Sequence, residues 1–337
     1  MKAIYLDSVE ILSEREVQKP QPGKGQVLIR VQSVGICGSD VHYWHKGKIG
    51  SLVVEEPMIL GHECSGVIDA VGEGDVCGLQ IGDRVVIEPG VPCYKCEYCL
   101  AGRYNLCAAI EFFATPPING SLTEYVAHDA NLVFKIPETI EDYGLATLAE
   151  PLAVGVFSTQ SIRPKLGDKV IVFGAGVIGL ACMLAAKASG CSSVVVADIR
   201  EDRLKLARVM GADEVFNLKN TQLPKARYNI AYEATGADTC YVQLASCLKP
   251  GSKVATVGMG ADMQTIPLVE FIFKEIMLVP TFRYANVYPT ALDLLAANQK
   301  KLKSVITNRI PFSLEGVDKA LHIALEDQTA CKVIVDF

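Results

Sequence analysis

Gly174-Ala-Gly-Val-Ile-Gly179 is the most restrictive stretch of this chain. It follows an apolar run, Lys169-Val-Ile-Val-Phe, and opens a segment rich in Ala and Leu over 177–189. A glycine turn between a strand and a helix is the context that G-x-G-x-x-G requires, and without it the pattern is weak. Gly174 allows the tight turn, Gly176 lets the backbone approach a pyrophosphate, and Gly179 lets helix and strand pack closely. The helix start, at Val177 and Ile178, turns unpaired N–H groups and a positive dipole end toward phosphate. Asp198 closes the next apolar run, 19 residues after Gly179. An acid there accepts from both ribose hydroxyls and repels a 2′-phosphate. The prediction is a dinucleotide site for NAD rather than NADP, with Arg203 on the following helix assigned to it.

The same texture continues on both sides of the motif. Strands are expected at 169–173, 193–198, 228–233, 253–258 and 276–280, with helices at 177–189 and 201–210. Strands alternating with helices mean βαβ units and a parallel sheet covered on both faces. Before Pro151 the pattern differs. Gln26-Val-Leu-Ile-Arg-Val-Gln-Ser alternates at period two, and short runs such as Gly66-Val-Ile-Asp-Ala-Val-Gly and Asp83-Arg-Val-Val-Ile-Glu end at Gly or Pro. That is the texture of a small β-rich domain. The tail mixes a helix near 314–325 with a last strand, Lys332-Val-Ile-Val-Asp.

Composition excludes several classes. With 32 basic and 38 acidic residues the formal charge is −6, so a nucleic-acid partner is not expected. The longest uncharged run, 170–186, contains the three motif glycines and reads as strand, turn and helix rather than a membrane span. Met1–Asp7 reaches an acid before any apolar region forms, so no secretory signal is expected. Half of the 337 residues are apolar, enough for genuine cores. Twelve cysteines in a chain this long suit a reducing cytoplasmic setting rather than a disulfide scaffold.

Four of those cysteines are clustered: Cys93, Cys96, Cys99 and Cys107, spaced x2, x2 and x7. Four thiolates make a closed tetrahedral zinc shell with no place for substrate, hence a structural site. A second set is dispersed: Cys37 in Gly-Ile-Cys-Gly-Ser-Asp, His62 and Glu63 in Leu-Gly-His-Glu, and Glu150 in Leu-Ala-Glu-Pro. Spacing alone does not join them. One thiolate, one imidazole and one or two carboxylates do form a mixed shell that zinc accepts.

In these strings and others the chain resembles the zinc-dependent medium-chain dehydrogenases, in their sorbitol/xylitol (polyol) branch. The resemblance runs along essentially the whole chain. Its most particular carriers are His42-Tyr-Trp44, Phe112-Phe-Ala-Thr-Pro-Pro117 and Phe282-Arg-Tyr284. It implies an α/β architecture: a GroES-like β-rich catalytic domain over 1–150, a doubly wound Rossmann domain over 151–282, and a segment 283–337 completing the first. It implies a catalytic zinc on Cys37, His62 and Glu63, with Glu150 binding the metal or its water, which with the four-cysteine shell makes two zinc ions per chain. Ser39 and His42 match a proton path, and Tyr43, Arg283 and Tyr284 match positions near a polyol. The activity implied is NAD-dependent oxidation of a polyol to a ketose by a cytoplasmic homotetramer. A related zinc dehydrogenase acting on L-threonine or a butanediol is the alternative, and one that should lack Phe282-Arg-Tyr284.

Overall fold

The strand Gln26–Gly35 organises the first half of the protein. Its β-branched side chains at Val27, Ile29, Val31 and Val34 are all buried. Leu28, on the opposite face, is buried too, while Arg30 is exposed. The strand is therefore covered on both faces for most of its length, and simple period-two alternation understates its burial. It pairs antiparallel with Glu63–Val71, with Tyr125–Asp129 and with Lys332–Asp336. The wider sheet runs in the order Val133–Lys135, Arg84–Ile87, Glu63–Val71, Gln26–Gly35, Lys332–Asp336, Ile306–Pro311. Lys2–Ser8, Ile11–Glu16 and Met58–Ile59 form a second, three-stranded sheet. A single core joins these elements through Ile4, Leu6, Val31, Trp44, Ile68, Leu321 and Val335.

The computed structural model describes all of residues 1–337 and divides into two units. One is Met1–Glu150 with Ile306–Phe337, and the other is Pro151–Val305. The second unit thus runs to Val305, beyond the expected boundary at 282. The helix Tyr288–Leu302 explains the difference, because it packs on the helices Val177–Ala188 and Glu201–Met210 of that unit. Leu292 and Leu295 supply its buried face.

The second unit is a six-stranded sheet in the order Glu214–Asn217, Ser193–Asp198, Lys169–Phe173, Tyr228–Glu233, Leu248–Thr256, Met277–Pro280. Every neighbouring pair is parallel. Strand order reverses between Lys169–Phe173 and Tyr228–Glu233, so a crevice opens at their carboxyl ends. The helix Val177–Ala188 is buried from Gly179 to Ala186, which accounts for the long uncharged run. No helix is long and apolar enough to cross a membrane.

Candidate metal and dinucleotide sites

Strand register brings the dispersed residues together. Glu63 lies opposite Gly35, and Ile334 lies opposite Gly35 from the other side. Cys37 follows two residues later as the N-cap of the helix Gly38–Lys46. A ligand atom each from Cys37, His62 and Glu63 lies within 4.8 Å of the others. His62 and Glu63 are buried, and Cys37 is half-buried. Gly35 is required here, since a Cβ on it would stand 2.2 Å from Glu63 Oε2. Glu150 is buried in the first turn of the helix Ala149–Ile162 but lies outside the three-donor cluster.

Two residues to which the sequence reading assigned no role complete the arrangement. Asp40 is fully buried, and its carboxylate accepts from Cys37 N and Gly61 N, both at 2.9 Å. Its Oδ1 also lies 3.5 Å from His62 Nδ1. Asp40 therefore ties the Cys37 turn to the strand bearing the other donors and orients the imidazole. Burial raises the Asp40 pKa, but His62 and the two backbone donors outweigh it and hold the pKa below the ordinary value. Lys332 is the second. Its ammonium donates to Glu63 Oε1 and Oε2 at 2.6 and 2.7 Å and to Ile36 O at 2.9 Å. Breaking a buried pair of this kind costs about 3–5 kcal/mol, because one charge is left without a partner.

The donor chemistry fits a metal cation. Burial works against a proton on His62, yet Asp40 and Cys37 raise its pKa well above the ordinary value. A pocket that holds a proton so strongly is one that draws positive charge, and a sulfur–nitrogen–oxygen shell is one that zinc accepts. The neighbouring Cys64 lies outside the three-donor cluster, and burial pushes its thiol up to about 12. Ser39 is half-buried on the helix Gly38–Lys46, with Tyr43 buried and His42 exposed. Desolvation, then the charges of Lys46 and His45, lower the His42 pKa. Nearby, the buried Glu88 is pushed up to about 7 by burial, with Glu150 adding to the rise. Tyr104 donates to its carboxylate at 2.6 Å.

The four clustered cysteines also converge. Their sulfurs lie within 4.8 Å of one another, and none is in a disulfide. Backbone N–H groups of Lys95 and Cys96 bring the Cys93 thiol down to about 6. A thiolate preformed at Cys93 suits a cation at the centre, while burial and the neighbouring sulfurs push the Cys99 thiol the other way, up to about 12, as crowded sulfurs do without a cation between them. The segment has little else to hold it, for no residue of its helix Glu97–Leu100 is buried.

In the second unit a cavity of about 400 Å³ opens at the carboxyl ends of the strands. Gly174, Gly176, Asp198, Arg203 and Thr235 line it. A Cβ on Gly179 would stand 1.9 Å from Gly174 O, so that glycine is demanded by packing. A Cβ on Gly176 would meet nothing within 4 Å, which leaves room for a phosphate group. Val177 and Ile178 begin the helix whose N-terminus faces this space. The Asp198 carboxylate accepts from Ala175 N and Arg200 N at 2.7 and 2.9 Å, and each oxygen keeps a further lone pair for a hydroxyl. Arg283 and Tyr284 follow the edge strand Met277–Pro280. The Arg283 guanidinium lies 4.9 Å from the centre of the Phe282 ring, and Tyr284 packs on Tyr288.

Residues 23–138 match the alcohol dehydrogenase GroES-like domain, and residues 177–297 match the zinc-binding dehydrogenase domain. The sorbitol dehydrogenase of Arabidopsis thaliana is 38% identical, covering 98% of this chain and 94% of that protein. That of Bos taurus is 41% identical, covering 90% and 86%. L-idonate 5-dehydrogenase of Escherichia coli superposes with a TM-score of 0.91 at 28% identity, covering 100% of this chain and 98% of its own.

Proposed function

The chain belongs to the zinc-dependent medium-chain dehydrogenases, in their sorbitol dehydrogenase branch, and from that premise we propose that it oxidises a sorbitol- or xylitol-type polyol to a ketose with NAD. The observation that carries this reading is the convergence of Cys37, His62 and Glu63, oriented by Asp40 and Lys332, in a chain with an open dinucleotide cavity. Zinc, when bound, would make a carbinol hydroxyl acidic enough to lose its proton near neutral pH, and NAD would take the hydride. Cys37, His62 and Glu63 would hold that ion. Glu150, whose charge helps raise the pKa values of Lys332 and Glu88, would hold the metal or its water. Ser39 would take the hydroxyl proton and His42 pass it to solvent, which its exposed position and lowered pKa favour. The second zinc belongs to Cys93, Cys96, Cys99 and Cys107. Twelve free cysteines accord with a cytoplasmic setting. Leu268, Val269, Ile272 and Phe273, all exposed, offer apolar surface for a homotetramer.

A polyol panel with NAD, read at the absorbance of NADH, tests the proposal. Sorbitol, xylitol or another five- or six-carbon polyol should lead L-threonine and 2,3-butanediol in kcat/KM, and the reverse order would overturn it. Arg283 and Tyr284 are assigned to substrate together with Tyr43. A guanidinium offers donors in a rigid fork that suits vicinal hydroxyls. Arg283→Ala should lower kcat/KM on long polyols by about 10-fold or more, the loss of a hydrogen bond to a charged group at 1.5–3 kcal/mol. Short diols should lose much less. Equal losses on both, with a lower melting temperature, would make Arg283 structural.

Cofactor choice rests on Asp198. Asp198→Ala should weaken NAD and narrow the NAD-to-NADP ratio of kcat/KM by about 10-fold, on the same hydrogen-bond scale. An unchanged ratio would remove Asp198 from the ribose site.

A further inference from the structure

Glu233 ends the strand Tyr228–Glu233 and is fully buried, yet it lies outside the metal cluster and does not line the cavity. Its carboxylate is met by hydrogen-bond donors. Oε1 accepts from Thr235 N at 2.8 Å, from Gly236 N at 3.0 Å and from the Thr235 hydroxyl. Oε2 accepts from Gly236 N at 3.2 Å. The main chain of the same residue serves a second loop, since Glu233 O accepts from Val257 N and Gly258 N, both at 2.9 Å. One residue thus grips the turn after its own strand and the turn after the neighbouring strand.

Those turns meet backbone to backbone. A Cβ on Gly258 would stand 2.3 Å from Gly236 N, and one on Gly260 would stand 1.8 Å from Gly236 O. Ala234, Thr235 and Ala237, which follow Glu233 directly, are wall residues of the cavity. The Thr235 hydroxyl continues the chain of contacts by accepting from Ala237 N at 3.0 Å. A wall built from an irregular turn has no ladder to fix it, and buried backbone N–H groups need acceptors. Here a single carboxylate supplies them.

We propose that Glu233 is a positioning residue for the dinucleotide: its buried carboxylate holds the Ala234–Ala237 turn in the shape that the cofactor meets. The inference rests on the reading of this cavity as the NAD site. Glutamine is a poorer substitute, because with its carbonyl at the Oε1 position it loses the charge that three donors share, and its NH2 group faces Gly236 N where Oε2 accepts. Thr235→Val removes one donor to Glu233 and one acceptor for Ala237 while keeping side-chain volume, and Thr235→Ser restores both.

The test is NADH binding to purified protein, read by fluorescence titration, beside the KM for NAD and the KM for polyol. Wild type should bind NADH, and its failure to do so would overturn the cavity assignment itself. Glu233→Gln should raise the Kd for NADH about 10-fold, as loss of hydrogen bonds to a charged group implies. Thr235→Val should raise it at least threefold, and Thr235→Ser should recover most of the loss. In both weakened variants the KM for NAD should rise while the KM for polyol stays within twofold, a split that general destabilisation does not produce. If Glu233→Gln does not fold, the Thr235 pair decides. NADH affinity unchanged in Thr235→Val, or polyol and NAD KM values rising together, would overturn the proposal.

Discussion

His62→Ala is expected to abolish turnover, by about 10³-fold or more, while the protein still binds NADH. The size follows from the chemistry, since a metal lowers the pKa of a bound water from 15.7 to about 7 and an alcohol should respond in kind. Removing the imidazole leaves two donors, Cys37 and Glu63. Lys332 already contacts both oxygens of Glu63, so the remaining carboxylate is contested by an ammonium. Asp40 loses the ring that it orients and stays buried with its two backbone donors. Zinc content should fall from two ions per chain to one. The cavity of the second unit lies outside the substituted site, so NADH titration should match wild type. Mild chelation of the wild-type enzyme should reproduce the variant, and added zinc should reverse it. Two zincs and turnover within 10-fold of wild type would take His62 out of the metal site.

Cys96→Ser should have the opposite profile, with a large loss of stability and a small loss of chemistry. The four sulfurs converge without a disulfide, and the helix Glu97–Leu100 buries nothing. Leu100 is 76% exposed, so even its apolar residues do not build a core. Structural zinc is worth about 10–16 kcal/mol in small peptides, and replacing one of four thiolates forfeits a substantial part of that. A loss of several kcal/mol should lower the melting temperature by roughly 10 °C or more. One zinc per chain should remain, at the catalytic cluster. The link to the other site is Tyr104, whose hydroxyl donates to Glu88, so kcat can fall modestly when the lobe loosens. A protein with two zincs and an unchanged melting temperature would disprove the four-thiolate shell.

Much of this was legible in the sequence, for identifiable reasons. The dinucleotide motif and the cysteine lobe are local, and their chemistry is set by spacings of a few residues. The helix Glu201–Met210 and the strand Ser193–Asp198 appear where periodicity puts them. Cys37, His62 and Glu63 needed the family resemblance, because nothing in their spacing joins them. Lys332 escaped because its partner Glu63 is 269 residues away and a lysine opening a strand reads as a solvated end. Asp40 sits three residues after Cys37, in Gly-Ile-Cys-Gly-Ser-Asp, but a capping acid near a helix start is common enough to carry no metal signal. The helix Tyr288–Leu302 lies wholly beyond the expected boundary at 282 yet belongs to the second unit, because composition alone does not say which sheet a helix covers.

The strand Lys332–Asp336 lies beside Gln26–Gly35, at the far end of the chain from it. During synthesis the Pro151–Val305 unit emerges whole and can form its parallel sheet while the tail is still being translated. The first unit cannot, for its sheet waits on Ile306–Phe337. Until that segment arrives, Glu63 has no ammonium partner and the turn at Ile36 lacks the carbonyl of Val333 to which its N–H donates. The Glu63 carboxylate and the Ile36 turn are therefore fixed only once that segment is in place. A chain that stops before the strand Lys332–Asp336 would carry a nucleotide fold beside an unfinished sheet, whose open edge at Gln26–Gly35 is a template for pairing with another chain.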